Sequence, residues 1–205
     1  MDYKVEFYKN RLTELCNSFK AIASLSILAL EQKNFKKVML LYKKLNNVFE
    51  DIKKLVELYG DTNLTKQVKE LDMANIPEEF DILKTIDSYY KVLSLKYAQT
   101  EFESDEEKIL LNKISIELNY KEEIPYLNIA RIMYSNGKYA EAIELCEYIK
   151  TITDSAPVWN ILGDIYSATK DYGMAIEAYK KYLELNEDDY EIEKVLEEVY
   201  EEALT

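Results

Sequence analysis

Asp171-Tyr172-Gly173-Met174-Ala175-Ile176-Glu177, with Trp159-Asn160-Ile161-Leu162-Gly163 just upstream, decides how this chain is read. Shifted by 33 residues, it lies over Lys138-Tyr139-Ala140-Glu141-Ala142-Ile143-Glu144. Trp159, Leu162 and Gly163 then fall on Tyr126, Ile129 and Ala130. Self-similarity at such a period signals stacked supersecondary units, none of which buries its apolar face alone. Within each copy apolar residues recur at helical spacing. Ser135-Asn136-Gly137 and Lys170-Asp171 break the period where a tight turn must join two helices of about 13 residues each.

The second copy, with Trp159, Leu162, Gly163, Tyr166, Ala175 and Tyr179 in register, resembles the tetratricopeptide repeat. It departs at Tyr182, where the family favours a small residue, and at Glu187, where it favours proline. The first copy opens its helix with Pro125 and has Cys146 at the aromatic position. The resemblance covers repeats at 123–155 and 156–187. It implies stacked antiparallel helix pairs, a capping helix over 189–203, and a concave groove lined by the first helix of each pair. It also implies a non-catalytic adaptor or scaffold that binds a peptide or partner protein. Carried over one position at a time, the groove residues are Leu127, Arg131 and Tyr134 in the first copy, and Asn160, Asp164 and Ser167 in the second. An aromatic and an arginine beside an amide suit an extended or helical peptide. The lysine-and-asparagine pattern with which some members clamp a C-terminal carboxylate is missing.

Packing chemistry agrees with the resemblance. Gly163 inside a helix costs up to ~1 kcal/mol relative to alanine, which makes sense where a partner helix approaches closely, with Ala142 and Ala175 as the matching small surface. Trp159 reads as a large buried plug, whose removal would cost on the order of 3–5 kcal/mol. In the capping helix, Ile192, Val195, Leu196 and Val199 form the apolar stripe. Asn186-Glu187-Asp188-Asp189 lacks the loop spacing and glycine turn of a calcium site and reads as an N-cap cluster.

Composition extends the helical reading to the whole chain. Of 205 residues, 4 are Gly and 3 Pro, too few for the turns of a sheet protein, so the fold class is all-α. In residues 1–102 the apolar rhythm Val5, Tyr8, Leu12, Leu15, Phe19, Ile22, Ser26, Ala29 restarts as Phe35, Val38, Tyr42, Leu45, Phe49, Ile52, Val56, Tyr59. Two such stripes separated by Gln32-Lys33-Asn34 predict a long antiparallel hairpin, with helices over 5–31 and 34–59. Leu25, Leu28, Met39, Leu41, Val48, Leu55 and Leu58 lie beside the stripes, so further helices are expected to cover them, or a homodimer through Leu28, Met39 and Leu41. Gly60 is placed to cap the second helix. Leu64, Val68 and Leu71 suggest a short helix. Pro77 fits the first turn of the next, whose face carries Ile82, Ile86, Tyr89, Leu93 and Tyr97. Ser104-Asp105-Glu106-Glu107 fits a capping box opening a helix to about Asn119. About ten helices result, with a bundle over 1–102 covering the first end of an array over 103–205.

The residues that are absent exclude whole classes of chemistry. Without histidine there is no Ser-His or Cys-His pair and no imidazole metal ligand. Cys16 and Cys146 lie at apolar helical positions and read as buried thiols. No phosphate loop, nucleotide fingerprint or metalloprotease motif is present, so no catalytic residue, cofactor or metal is expected. Residues 1–60 carry 11 basic and 7 acidic side chains, and residues 61–205 carry 15 and 32. The acidic part repels phosphate, which disfavours nucleic acid as a partner. The start Met1-Asp2-Tyr3-Lys4 has no signal-peptide pattern, and no apolar run is long enough to span a bilayer, which predicts a cytoplasmic protein with no membrane contact. The hairpin is also loosely similar to flagellar and secretion export chaperone bundles, which implies binding of an export substrate as the alternative function.

Overall fold

The computed structural model describes residues 3–59 and 82–204. The expected Gly60 cap, the short helix through Leu64, Val68 and Leu71, and the opening at Pro77 lie outside them, as do the side chains of Val5, Tyr59 and Ile82. Among the described residues there are nine helices and no strand. The protein is all-α, as its scarcity of turn residues dictates. It divides into two compact units, Met1–Phe102 and Glu103–Thr205.

The first unit contains α1 (Tyr3–Glu31), α2 (Phe35–Tyr59) and α3 (Ile82–Gln99). Between α1 and α2 the chain reverses with Lys33 in the left-handed region, at φ 50°, and Asn34 Oδ1 caps α2 by accepting from the Lys37 N–H at 3.0 Å. α1 packs on both α2 and α3. A helix with two partners needs a wider apolar face than a single seam, so Cys16, Ala23 and Leu30 are buried beside the expected Leu12, Leu15, Phe19 and Ala29, while Ile22 is only half-buried. Ser26, the one polar residue in the rhythm, is fully buried because its hydroxyl donates to the Ile22 carbonyl at 2.9 Å.

The face of α3 differs from the expected one. Leu83, Ile86, Tyr90, Leu93 and Tyr97 are buried and Tyr89 is half-buried. The register is set by aromatic packing: the Tyr90 ring meets Phe19 of α1 at 5.1 Å and Phe49 of α2 at 5.0 Å, edge to face in both cases. Tyr42 meets Tyr97, and Phe35 meets Phe102, in the same manner. Of the positions beside the stripes, Leu41 is covered and Met39, Val48 and Leu55 are half-covered, but Leu25, Leu28 and Leu58 stay exposed.

The second unit holds α4 (Asp105–Leu118), α5 (Ile124–Ser135), α6 (Tyr139–Ile152), α7 (Ala156–Ala168), α8 (Tyr172–Leu185) and α9 (Tyr190–Ala203). Each packs on the next, and α5 also touches α7, so helix pairs are stacked in chain order. The serine half of the expected capping box is formed, with Ser104 Oγ accepting from the Glu107 N–H. α4, α6 and α8 are each 14 residues long and recur at nearly the repeat period, so α4 stands in the register of a second helix whose own copy is hard to see in the sequence. Asn112 ties it to α5 by accepting from the Asn128 side-chain amide at 3.0 Å.

The turns inside the two copies share one conformation. Gly137 has φ 73° and its counterpart Lys170 has φ 62°. The turn before α9 uses Asp188 at φ 66°. Asp171 and Asp189 then cap α8 and α9 through Oδ1. Tyr182 has a specific use: its hydroxyl donates to Asp189 Oδ2 at 2.6 Å and fastens the cap of α9.

Gly163 owes its place to an aromatic ring and not to the alanines. A Cβ built on it would lie 2.5 Å from Tyr179 Cε1, and the Tyr179 ring is only 1% exposed. Ala142 and Ala175 are fully buried nearby in the two apolar clusters of the unit. Trp159 is not the buried plug that the sequence suggests. It is half-buried, donates from Nε1 to Asp154 Oδ1 at 2.6 Å, and lies beneath the Lys150 ammonium, 4.1 Å from the ring centroid. It packs against the edge of the core and clasps the end of α6 to the start of α7. Both cysteines are buried and free, and burial pushes each thiol up to about 12.

Trp159→Ala is therefore expected to cost about 2 kcal/mol, below the range for a fully buried ring. Gly163→Ala, which must displace a buried ring, is expected to cost about 1–3 kcal/mol. Urea denaturation of both variants checks the pair. Lys170→Gly removes a left-handed lysine and is expected to raise stability by about 0.5–1 kcal/mol, the strain relieved less the added chain entropy of glycine. A lowered urea midpoint for Lys170→Gly would contradict it.

Candidate functional site

The six residues singled out by register lie on α5 and α7. Leu127, Arg131 and Tyr134 are spaced four and three apart on α5, as are Asn160, Asp164 and Ser167 on α7, so each triplet follows one helix face. Their exposures differ. Leu127 is 4% exposed and belongs to the apolar cluster with Ala130, Cys146 and Ile161, so it supports the face from beneath and offers a partner nothing. Arg131 is exposed, and the other four are half-buried. Register alone cannot separate these cases, because a residue on one face can still be covered by the neighbouring pair.

Arg131, Tyr134 and Asp164 are brought within electrostatic reach of one another. Burial lifts the Asp164 carboxyl above the usual carboxylate range, opposed by a hydrogen bond from Tyr179 and by the Arg131 charge. Tyr134 is lifted by burial and then by the carboxylate of Asp164 and by Tyr139. Arg131 forms no ion pair with a described residue, whereas ion pairs such as Lys108–Asp105 and Lys150–Glu147 join residues three apart along single helices. Asn160 Oδ1 is buried and accepts no hydrogen bond from a described residue. Ser167 stands one turn beyond Asp164.

Tyr179 completes this cluster, and it was not among the expected site residues. Its hydroxyl donates to Asp164 Oδ1 at 2.7 Å. The same ring fills the space over Gly163, so the residue that sets the spacing of α7 and α8 also holds the carboxylate. In the sequence it carried only a packing signal, as the aromatic of the repeat. Among the described residues no group of Cys, Asp and Glu could hold a metal ion, and no helix is long and apolar enough to cross a membrane. The cluster offers one cation, one half-buried carboxylate, two phenols and an amide.

Residues 156–189 match the sequence model of the family described as the tetratricopeptide repeat. A solved structure of a thermophilic TPR protein from Thermus thermophilus is similar over 89% of this chain and 98% of that one, with 12% identity and a TM-score of 0.44. No curated protein matches the chain. The protein thus contains a tetratricopeptide repeat at 156–189, formed by α7, α8 and the turn before α9. Repeats of this family generally mediate protein–protein interaction.

The Tyr179–Asp164 contact has a testable consequence. Asp164→Asn keeps an acceptor for the hydroxyl and removes a charge whose burial is unfavourable, whereas Asp164→Ala strands a buried hydroxyl at a cost of about 1–3 kcal/mol. A carboxyl with a raised folded-state value binds its proton more tightly when folded. Its effect on stability is most favourable at acid pH and is lost as pH rises through that value. Chemical denaturation at several pH values is expected to show Asp164→Asn gaining on wild type from acid to neutral pH, with Asp164→Ala the least stable throughout.

Proposed function

We propose that residues 103–205 act as a non-catalytic adaptor array, with repeats at 123–155 and 156–187, and that a peptide or partner protein binds the face carrying Arg131, Tyr134, Asn160, Asp164 and Ser167. The observation that supports this most is Arg131. It is exposed, without an ion pair among the described residues, and stands beside a half-buried aromatic and a carboxylate already oriented by Tyr179. Preorganised polar groups of this kind lose little freedom when a partner arrives. The described face contains no nucleophile–base pair and no metal-holding group, which favours recognition over catalysis. Residues 1–102 serve as a separate helical bundle, and the working compartment is the cytoplasm.

Affinity capture from lysate with immobilised wild type, Arg131→Glu and the control Lys113→Glu tests the reading. Arg131 is the residue to change because Tyr134 packs on the core and its loss would confuse binding with folding. A protein retained by wild type and the control, and reduced about tenfold by Arg131→Glu, is the expected result, as for a central charged contact worth ~1.4 kcal/mol or more. Equal retention by all three would move binding to the hairpin. Its exposed Leu25, Leu28 and Leu58 would suit an apolar helical substrate of the export-chaperone kind.

A further inference from the structure

Among the described residues, two exposed helix faces carry runs of unpaired charge of opposite sign, one in each unit. Between Glu31 and Glu50 there are five lysines, Lys33, Lys36, Lys37, Lys43 and Lys44, and no carboxylate. Lys36, Lys43 and Lys44 are exposed and fall within about 60° of Leu40 around the α2 axis. Leu40 itself is 55% exposed. None of the five lysines pairs with a described carboxylate, whereas Lys53 and Lys54 further along α2 pair with Glu50 and Asp51.

α9 carries the counterpart. Ile192, Val195, Leu196 and Val199 pack into the cluster with Ala175 and Tyr179, which turns the opposite side of the helix outward. Along that side run Glu193, Glu197 and Glu201, one turn apart, with Tyr190 and Leu204, and with Tyr200, whose ring also meets the Lys180 ammonium of α8 5.6 Å from its centroid. Tyr190 is 76% and Leu204 89% exposed. None of these three glutamates pairs with a described lysine; the pair on this helix, Lys194–Glu198, lies beside the stripe. Each stripe thus sets like charges beside exposed apolar surface, Leu40 on α2 and Tyr190, Tyr200 and Leu204 on α9, and the two differ in sign.

We propose that the outer face of α9 docks on the Leu40-centred lysine face of α2 in a second copy of this chain. The second copy is the fitting partner because each copy carries both faces and the two are opposite in sign. Tyr200, level with Glu197 and Glu201, would cover Leu40, while Glu193, Glu197 and Glu201 approach Lys36, Lys43 and Lys44. Such a contact uses two different patches, so it is head-to-tail: it closes only as a ring and otherwise continues as a chain of copies. Exposed ion pairs contribute little each, so the association is weak, and it fades as salt shortens the screening length from ~30 Å at 0.01 M to ~8 Å at 0.15 M. This assembly is independent of the binding face on α5 and α7.

Sedimentation velocity over a wide concentration range tests it with three proteins: wild type, Lys36→Glu/Lys43→Glu/Lys44→Glu, and Glu193→Lys/Glu197→Lys/Glu201→Lys. Wild type is expected to self-associate in low salt and to weaken at least about tenfold by 0.15 M salt. Each triple variant alone carries two faces of like sign and is expected to stay monomeric. An equimolar mixture of the two variants restores opposite faces and is expected to associate again, which also demonstrates that both fold. Wild type that stays monomeric at every concentration would overturn the proposal. So would association that is indifferent to salt, that persists in either triple variant, or that is abolished by Leu28→Glu, since the contact would then lie elsewhere. A mixture that stays monomeric while both variants keep the wild-type helical circular-dichroism spectrum would overturn it as well.

Discussion

The Tyr179 ring lying over Gly163 is the contact on which the second unit depends. It lets α7 and α8 approach to a distance that any Cβ at position 163 would prevent, and it seals the space so left with an aromatic that is almost wholly buried. The hydroxyl at the end of the ring reaches Asp164, so one side chain fixes the spacing of the helix pair and the orientation of a carboxylate. Without that hydrogen bond the half-buried charge would be hard to keep on this surface. Packing and the candidate binding face are therefore one construction, not two.

The first unit solves a different problem with similar materials. A long hairpin offers one seam, but its apolar faces are wider than one seam can cover. α3 supplies the second layer, and Tyr90, set between Phe19 and Phe49, fixes its register. The richness in tyrosine is thus partly accounted for as structure: Tyr90 and Tyr97 bury their rings in the bundle, and Tyr179 and Tyr182 use their hydroxyls to hold an acidic residue in place. Charge is what the two units do not share. Lys36, Lys43 and Lys44 of α2 and Glu193, Glu197 and Glu201 of α9 are exposed and form no ion pair with a described residue.

Much of this was legible in the residues. Scarcity of glycine and proline together with the spacing of apolar side chains determined an all-α chain, and the 33-residue self-similarity located the helix pairs and their turns. The register of the repeat also named the helix faces on which Arg131, Tyr134, Asn160, Asp164 and Ser167 lie. These features are local, since each depends on residues within a turn or two of helix, where sequence spacing and spatial spacing coincide. Depth below the surface is not local. Leu127 is covered and Trp159 half-open because of which helix packs next to each; Tyr90 displaces Tyr89 because two rings from α1 and α2 await it. Tyr179 joins the site because Asp164, 15 residues earlier, comes to lie beneath its hydroxyl. The sequence by itself determined the all-α class, the long hairpin and the helix pairs of the repeat; only the tertiary structure decided the buried face of α3 and what each face meets, because burial depends on neighbours that helical spacing does not specify.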